Sequence, residues 1–290
     1  MIEFKKNAFW ERFGLTQPFS LSQNSTIGCG GIAQTAFYPT TFTDTVELLS
    51  ALHEKGIPFY VVGCMSNVLP PDEYSNRVFV CTKKLTGMED NFYLSGITGT
   101  KLLAHCKNAR LGGLEFLEGI PCTLGGALFM NAGVQGGYIG DLVESVTIWQ
   151  NKRVYTLTQQ ECEYAYKNSV FMQNDSVILG AKLRLYKSDL PQIESELAKY
   201  RCRRAHLPKG KSMGCVFKNP KGEYAGKLIE GAGLKGYTLG GAFVSDMHAN
   251  FIINKANATA KEIKSLITLI KNAVYAQYKI LLEEEIRYLE

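Results

Sequence analysis

The sequence predicts an α+β fold divided among two or three small domains. At 290 residues the chain is long for a single hydrophobic core. Its apolar residues fall into short β-branched and aromatic runs, separated by stretches of helical period. The third observation is the stretch 112–137, GGLEFLEGIPCTLGGALFMNAGVQGG, which sets glycine among large apolar residues. A linker would combine Gly with Ser and polar residues instead. Glycine among core-forming side chains marks buried backbone that must approach something closely. Gly125-Gly126, ahead of the helix-compatible run 127–131, offers unshielded N–H groups at a turn, suited to an anionic or planar ligand. For any one of these glycines a tight turn packed on a strand would suffice. The spacing of the whole set favours a ligand.

Bulk properties narrow the class. Apolar residues at 46% and charged ones at 20% are globular values, without a low-complexity block or repeat. A net charge of +5 is mild, serving solubility or attraction of anionic ligands such as diphosphates. The densest cationic cluster, Arg201-Cys202-Arg203-Arg204, is short, so no nucleic-acid partner is expected. None of the eight cysteines forms a C-x-x-C pair and the four histidines lack ligand spacing. Neither zinc nor a disulfide framework is expected. The first 14 residues lack an apolar signal core, and no run of 18 apolar residues occurs. A cytoplasmic monomer with reduced thiols and no membrane partner is expected.

In chain order, 25–39 reads as a glycine-containing strand and turn. Thr43-Asp44 can cap a helix with Val46, Leu49 and Leu52 on one face, ended by Gly56 and Pro58. Residues 59–62 read as a buried strand, followed by the loop Gly63-Cys64-Met65-Ser66-Asn67, a geometry that can wrap N–H groups around a diphosphate. Short strands follow at 78–80 and 92–94, then a helix over 101–110, then strands 143–148 and 153–157 around an Asn151-Lys152 turn. Composition changes near 185, and a charge-rich helix covers 194–204, with a boundary near 188–191. Thr259 and Glu262 form a capping box for a helix whose core stripe is Ile263, Leu266, Ile267, Ile270 and Val274.

The run GLEFLEGIPCTLGGALFMNAG, at 113–133, resembles the flavin-binding signature of the UDP-N-acetylenolpyruvoylglucosamine reductase family. It departs at Cys122, where glycine is usual, and just beyond it at Gln135, where tyrosine is common. The loop 63–67 resembles the family's G-x-G-S-N-x-L, with Met65 in place of the second glycine. Further similarity lies in Tyr166-Lys167-Asn168-Ser169, where arginine usually stands at 167, and in GCVFKNP at 214–220. It continues in AGKLIEGAGLKG at 225–236, HANFI at 248–252 and the closing LEEEIR, so that it covers roughly 20–290.

The resemblance implies an FAD-binding two-subdomain fold of the vanillyl-alcohol-oxidase type plus a C-terminal α+β substrate-binding domain. The corresponding division is 1–75 and 76–188 for the two FAD-binding subdomains and 189–278 for the substrate domain, with 279–290 returning near the active site. It also implies NADPH-dependent reduction of UDP-N-acetylglucosamine enolpyruvate, with FAD as the hydride carrier. NADPH and substrate visit one site in turn, consistent with the lack of a strand–G-x-G-x-x-G–helix unit. FAD contacts fall on Gly63, Cys64, Met65, Ser66 and Asn67, and on Gly119, Ile120, Pro121, Thr123, Gly125, Gly126, Asn131 and Gly133. Cys215 matches the proton donor, a position of serine or cysteine in the family, and a thiol is the more acidic. Lys167 is the cation beside the substrate carboxylate, a point charge where arginine would give a planar fork. Glu285 matches the catalytic glutamate, with Glu283 and Glu284 as neighbouring registers. Tyr166, Lys218 and Asn219 are expected at the substrate, and Arg203, His206 and Lys209 at its diphosphate. The other readings are a flavin-binding relative without this activity, or a different FAD oxidase on the same fold. Covalent attachment of flavin would need a placed His or Cys, and His105 is the candidate.

Overall fold

In the computed structural model, which describes residues 4, 7–134 and 136–289, the chain divides into two units, each with its own core. One comprises residues up to Gln17, Thr35–Cys64 and Arg77–Ala205; the other comprises Pro18–Gln34, Met65–Asn76 and the chain from His206 onward.

The first unit contains a five-stranded antiparallel sheet in the order Arg153–Thr158, Val143–Gln150, Val177–Leu183, Phe92–Leu94, Met88–Glu89. Asn151 and Lys152 join its first two strands, at φ 48° and 64°. Two consecutive left-handed residues make the two-residue hairpin whose twist matches the strands. Separately, Phe59–Val62 pairs in parallel with residues 78–81. Only Val62 of that strand is fully buried, so the expected buried strand is half-covered. Helix Phe42–Glu54 is capped by Thr41, whose Oγ1 accepts the Asp44 N–H at 3.0 Å. The cap expected at Thr43-Asp44 therefore lies two residues earlier, and the buried face is Leu48, Leu49 and Leu52 with Val46 at its margin. Gly56 follows in the left-handed conformation, at φ 61°. Thr98 similarly starts helix Gly99–Ala109 two residues ahead of expectation. The helix expected over 194–204 runs Leu190–Ala205.

The second unit carries a four-stranded antiparallel sheet in the order Ser212–Cys215, Phe251–Asn254, Ala242–Val244, Thr238–Leu239. Helix Ala260–Tyr278 has the predicted capping box: Thr259 Oγ1 accepts the Glu262 N–H, and Glu262 Oε2 accepts the Thr259 N–H. The Asp72 carboxylate takes the next two donors, Ala260 N–H at 2.8 Å and Lys261 N–H at 3.0 Å. The predicted stripe from Ile263 to Val274 is buried in this unit's core. The tail strand Arg287–Tyr288 pairs in parallel with Val68–Leu69. Among the described residues no helix is long and apolar enough to cross a membrane, and no His/Cys/Asp/Glu cluster could hold a metal ion. All eight cysteines stand outside disulfides.

Candidate active site

Leu124–Phe129 is a short helix, so Gly125 and Gly126 lie inside its first turn rather than ahead of it. Thr123 caps it, with Oγ1 accepting the Gly126 N–H at 3.3 Å. The Leu124 N–H donates to Ile97 O at 2.8 Å and the Gly125 N–H to Ser95 O at 2.7 Å. The expectation of unshielded N–H groups at Gly125-Gly126 is corrected: Ser95 O takes the first and the Thr123 cap takes the second. What stays open is the face of Gly126, which is exposed and where an added Cβ would meet only Thr123 Oγ1, at 3.4 Å. At Gly63 a Cβ would collide with the Thr123 side chain, so strand Phe59–Val62 delivers its loop directly onto the helix cap. Cys64 and Cys122 flank this contact. Burial, and secondarily Cys64, pushes the Cys122 thiol up to about 12; burial also raises Cys64, against the opposing pull of Lys83. Both are therefore neutral thiols at pH 7. Gly119 and Pro121 are exposed and Ile120 half-buried, while Gly133 lies in a tight hairpin with Gly137-Tyr138. Gln135 lies outside the described residues.

The far end of the helix explains the letters Met-Asn-Ala-Gly. Asn131 is left-handed at φ 43°, its N–H reaches Leu128 O at 3.3 Å, and the Ala132 N–H reaches Ala127 O at 2.8 Å. This is a complete Schellman termination, with asparagine at the position that more often holds glycine. The Asn131 side chain is buried and points its amide at the segment that carries Tyr166 and Lys167. That segment is a tight turn closed by reciprocal Ala165 and Asn168 main-chain bonds, with Tyr166 exposed and Lys167 at φ 51°. The first unit thus brings the cradle and Lys167 together. Arg203 stays on the exposed end of helix Leu190–Ala205, over the Tyr200 ring.

In the second unit, Cys215 ends a strand and is half-buried after Gly214 at φ 76°. The closing tail lies beside the residues that follow it. Lys218 N–H donates to Glu283 O and Glu285 N–H to Val216 O, both at 2.8 Å. Asn67 Nδ2 donates to Glu285 O at 3.0 Å, and Asn67 O accepts the Arg287 N–H. Asn67, Cys215, Lys218 and Glu285 are therefore assembled by main-chain pairing. Glu283 is paired with Lys218, and Glu284 holds Lys271 and the Tyr288 hydroxyl. Asn219 Oδ1 accepts the Ala225 N–H and so helps start helix Ala225–Gly231. Ser66 is half-buried, and His206 and Lys209 are exposed. Met65 adopts φ 49°, the conformation glycine would supply, with its side chain buried.

One positioning residue was missed. Asn250 is 3% exposed and clamps both main-chain groups of Phe217: Oδ1 accepts its N–H at 2.9 Å and Nδ2 donates to its carbonyl at 2.8 Å. It fixes the chain two residues beyond Cys215. The motif HANFI contained it, but nothing local distinguishes a clamp from any other buried amide.

Comparison with known proteins accounts for both units. The model of the UDP-N-acetylenolpyruvoylglucosamine reductase C-terminal domain matches residues 206–289, and an FAD binding domain matches 33–152. The UDP-N-acetylenolpyruvoylglucosamine reductase of Clostridioides difficile (strain 630) is 36% identical over 275 residues, covering 90% of this chain and 88% of its own. That of Shouchella clausii (strain KSM-K16) is 37% identical over 268 residues, covering 89% and 85%. The crystal structure of UDP-N-acetylenolpyruvylglucosamine reductase from Thermus caldophilus matches with a TM-score of 0.84 at 29% identity, over 94% of this chain and 98% of that one. The fold is the expected α+β arrangement, an FAD-binding domain with a C-terminal α+β domain. The chain is an oxidoreductase with FAD as its cofactor, and it belongs to the UDP-N-acetylenolpyruvoylglucosamine reductase family.

Proposed function

We propose that the chain reduces the enolpyruvyl group of UDP-N-acetylglucosamine enolpyruvate to give UDP-N-acetylmuramate for peptidoglycan synthesis, with NADPH as reductant. It acts in the cytoplasm as a monomer. Residues 1–75 and 76–188 are its FAD-binding subdomains and 189–278 its substrate domain, with the 279–290 tail near the chemistry.

The residues at hand fit a flavin dinucleotide. The bare face at Gly126, the Thr123 cap and the loop resting on it at Gly63 leave backbone that a ligand can approach closely. Gly63, Cys64, Met65, Ser66 and Asn67 hold FAD together with Gly119, Ile120, Pro121, Thr123, Gly125, Gly126 and Gly133. Bound FAD supplies hydride to the distal carbon of the enol ether. Cys215 gives a proton to the neighbouring carbon, completing addition across the double bond. The Lys167 ammonium stabilises the negative charge that grows on the substrate carboxylate, and Tyr166 lies beside it. Glu285 orients the proton delivery. Lys218 contacts the substrate with Asn219, and Arg203, His206 and Lys209 receive the diphosphate.

The observation that carries this reading is the pairing of the tail with the residues after Cys215, which brings Glu285 beside the thiol's strand. The bond from Glu285 N–H to Val216 O, next in the chain to Cys215, favours Glu285 among the three glutamates. Stopped-flow absorbance of the flavin tests it. Cys215→Ala should still be reduced by NADPH, while reoxidation by UDP-N-acetylglucosamine enolpyruvate slows by about 10²–10⁴-fold, the usual worth of a positioned acid. Cys215→Ser should recover much of the loss. Reoxidation of Cys215→Ala at the parental rate would remove the thiol from the chemistry.

A further inference from the structure

We propose that Asn131 is a positioning residue for Lys167, tying the cradle helix to the turn that carries the cation. This rests on the assignment of Lys167 given above.

A left-handed helix terminus needs only glycine, which reaches that conformation without steric cost. Asparagine at this point therefore asks what its side chain holds. It is 4% exposed, with Nδ2 donating to Ala165 O at 2.8 Å and Oδ1 accepting the Gly140 N–H at 3.0 Å. Both ends of the amide are engaged, which fixes its orientation. Ala165 O also accepts the Asn168 N–H at 3.2 Å, the bond that closes the lysine turn. One carbonyl thus joins the turn to the cradle. Just beyond the turn, buried Ser169 donates its hydroxyl to Phe129 O at 2.6 Å, on the last residue of the cradle helix. Two tethers therefore bracket residues 165–169. Lysine reaches its target on a long flexible stem, and only the backbone below it can be held rigidly. A misplacement of about 1 Å at a reacting group costs on the order of 10²-fold.

Asn131→Asp isolates the tether. Aspartate keeps the shape, tolerates the left-handed backbone and still accepts the Gly140 N–H, but it sets a carboxylate oxygen against Ala165 O. Rates are referred to flavin-loaded protein, with flavin content measured for each variant. Amide exchange at Asn168 should speed by about tenfold, the weight of one hydrogen bond. Reoxidation by the enolpyruvyl substrate should slow on the order of 10²-fold, far more than flavin reduction by NADPH. In a Lys167→Ala background the same change should slow reoxidation no further. Unchanged exchange at Asn168, or equal slowing in both backgrounds, would overturn the proposal. Failure of the underlying assignment looks different: Lys167→Ala alone would then reoxidise at the parental rate, leaving Asn131 nothing to position.

Discussion

Asn250→Leu preserves the volume of the side chain and deletes both of its polar ends. Phe217 is 1% exposed, so its N–H and carbonyl lose their partners inside the protein, where water does not replace them. Each buried group left unsatisfied costs about 1–3 kcal/mol, which makes about 2–6 kcal/mol for the pair. Whole domains are stable by only about 5–15 kcal/mol, so the second unit should lose a large part of its margin. The main-chain bond from Val216 N–H to Asn250 O remains, and the strand register should survive. Both tryptophans, Trp10 and Trp149, lie in the first unit, so their fluorescence is blind to this change. Amide exchange in a peptide spanning 213–218 reads it directly. The opening free energy there should fall by the amount above. A fall of less than about 1 kcal/mol, the net worth of one ordinary hydrogen bond, would show that other contacts hold the segment and refute the clamp.

That clamp marks where the sequence stops being legible. Interactions closed within a few residues were readable: the Thr259–Glu262 box, the Asn151-Lys152 turn and the Gly56 terminus need no knowledge of distant partners. Even locally, the cap expected at Thr43-Asp44 was misplaced, because several adjacent residues could each cap and only geometry selects Thr41. Partners far apart in sequence were invisible. The N–H groups of Gly125 and Gly126 read as ligand donors, whereas Ser95 O takes the first and Thr123 Oγ1 the second. The asparagines show the same difficulty. Asn67, Asn131, Asn250 and Asn254 all bind main chain, each organising a loop at or near the motifs, although the first two read as ligand contacts. An amide binds a ligand or a backbone with the same two atoms, so type and spacing cannot separate the roles.

The open face at Gly126 leaves room for a side chain, so Gly126→Asp should fold normally and yet lose FAD, because the carboxylate adds like charge where a diphosphate approaches; full flavin occupancy with an unchanged Tm would move the cofactor elsewhere. FAD should be released by acid precipitation, since His105 packs edge-on against Tyr93; colour retained in the pellet would mean a covalent bond. Glu262 is held below its ordinary 4.5 by N–H bonds from Thr259 and Gly241. Its contribution is present above that value and lost as pH falls through the lower folded pKa. The Tm gap between parent and Glu262→Gln should therefore be full at neutral pH and shrink in acid, and a gap independent of pH would contradict the capping role. Met65→Gly sets two effects against each other. Glycine relieves the left-handed strain at φ 49°, worth about 1 kcal/mol, but it removes a side chain that is 5% exposed, worth about 1.5–3 kcal/mol of burial. Glycine also gives the unfolded chain more freedom, by about 0.4–1 kcal/mol. Burial wins, so the change toward the family's usual glycine should destabilise the protein by about 1–3 kcal/mol in amide exchange of the second unit. A more stable Met65→Gly would mean that the buried methionine packs poorly and that strain governs this loop.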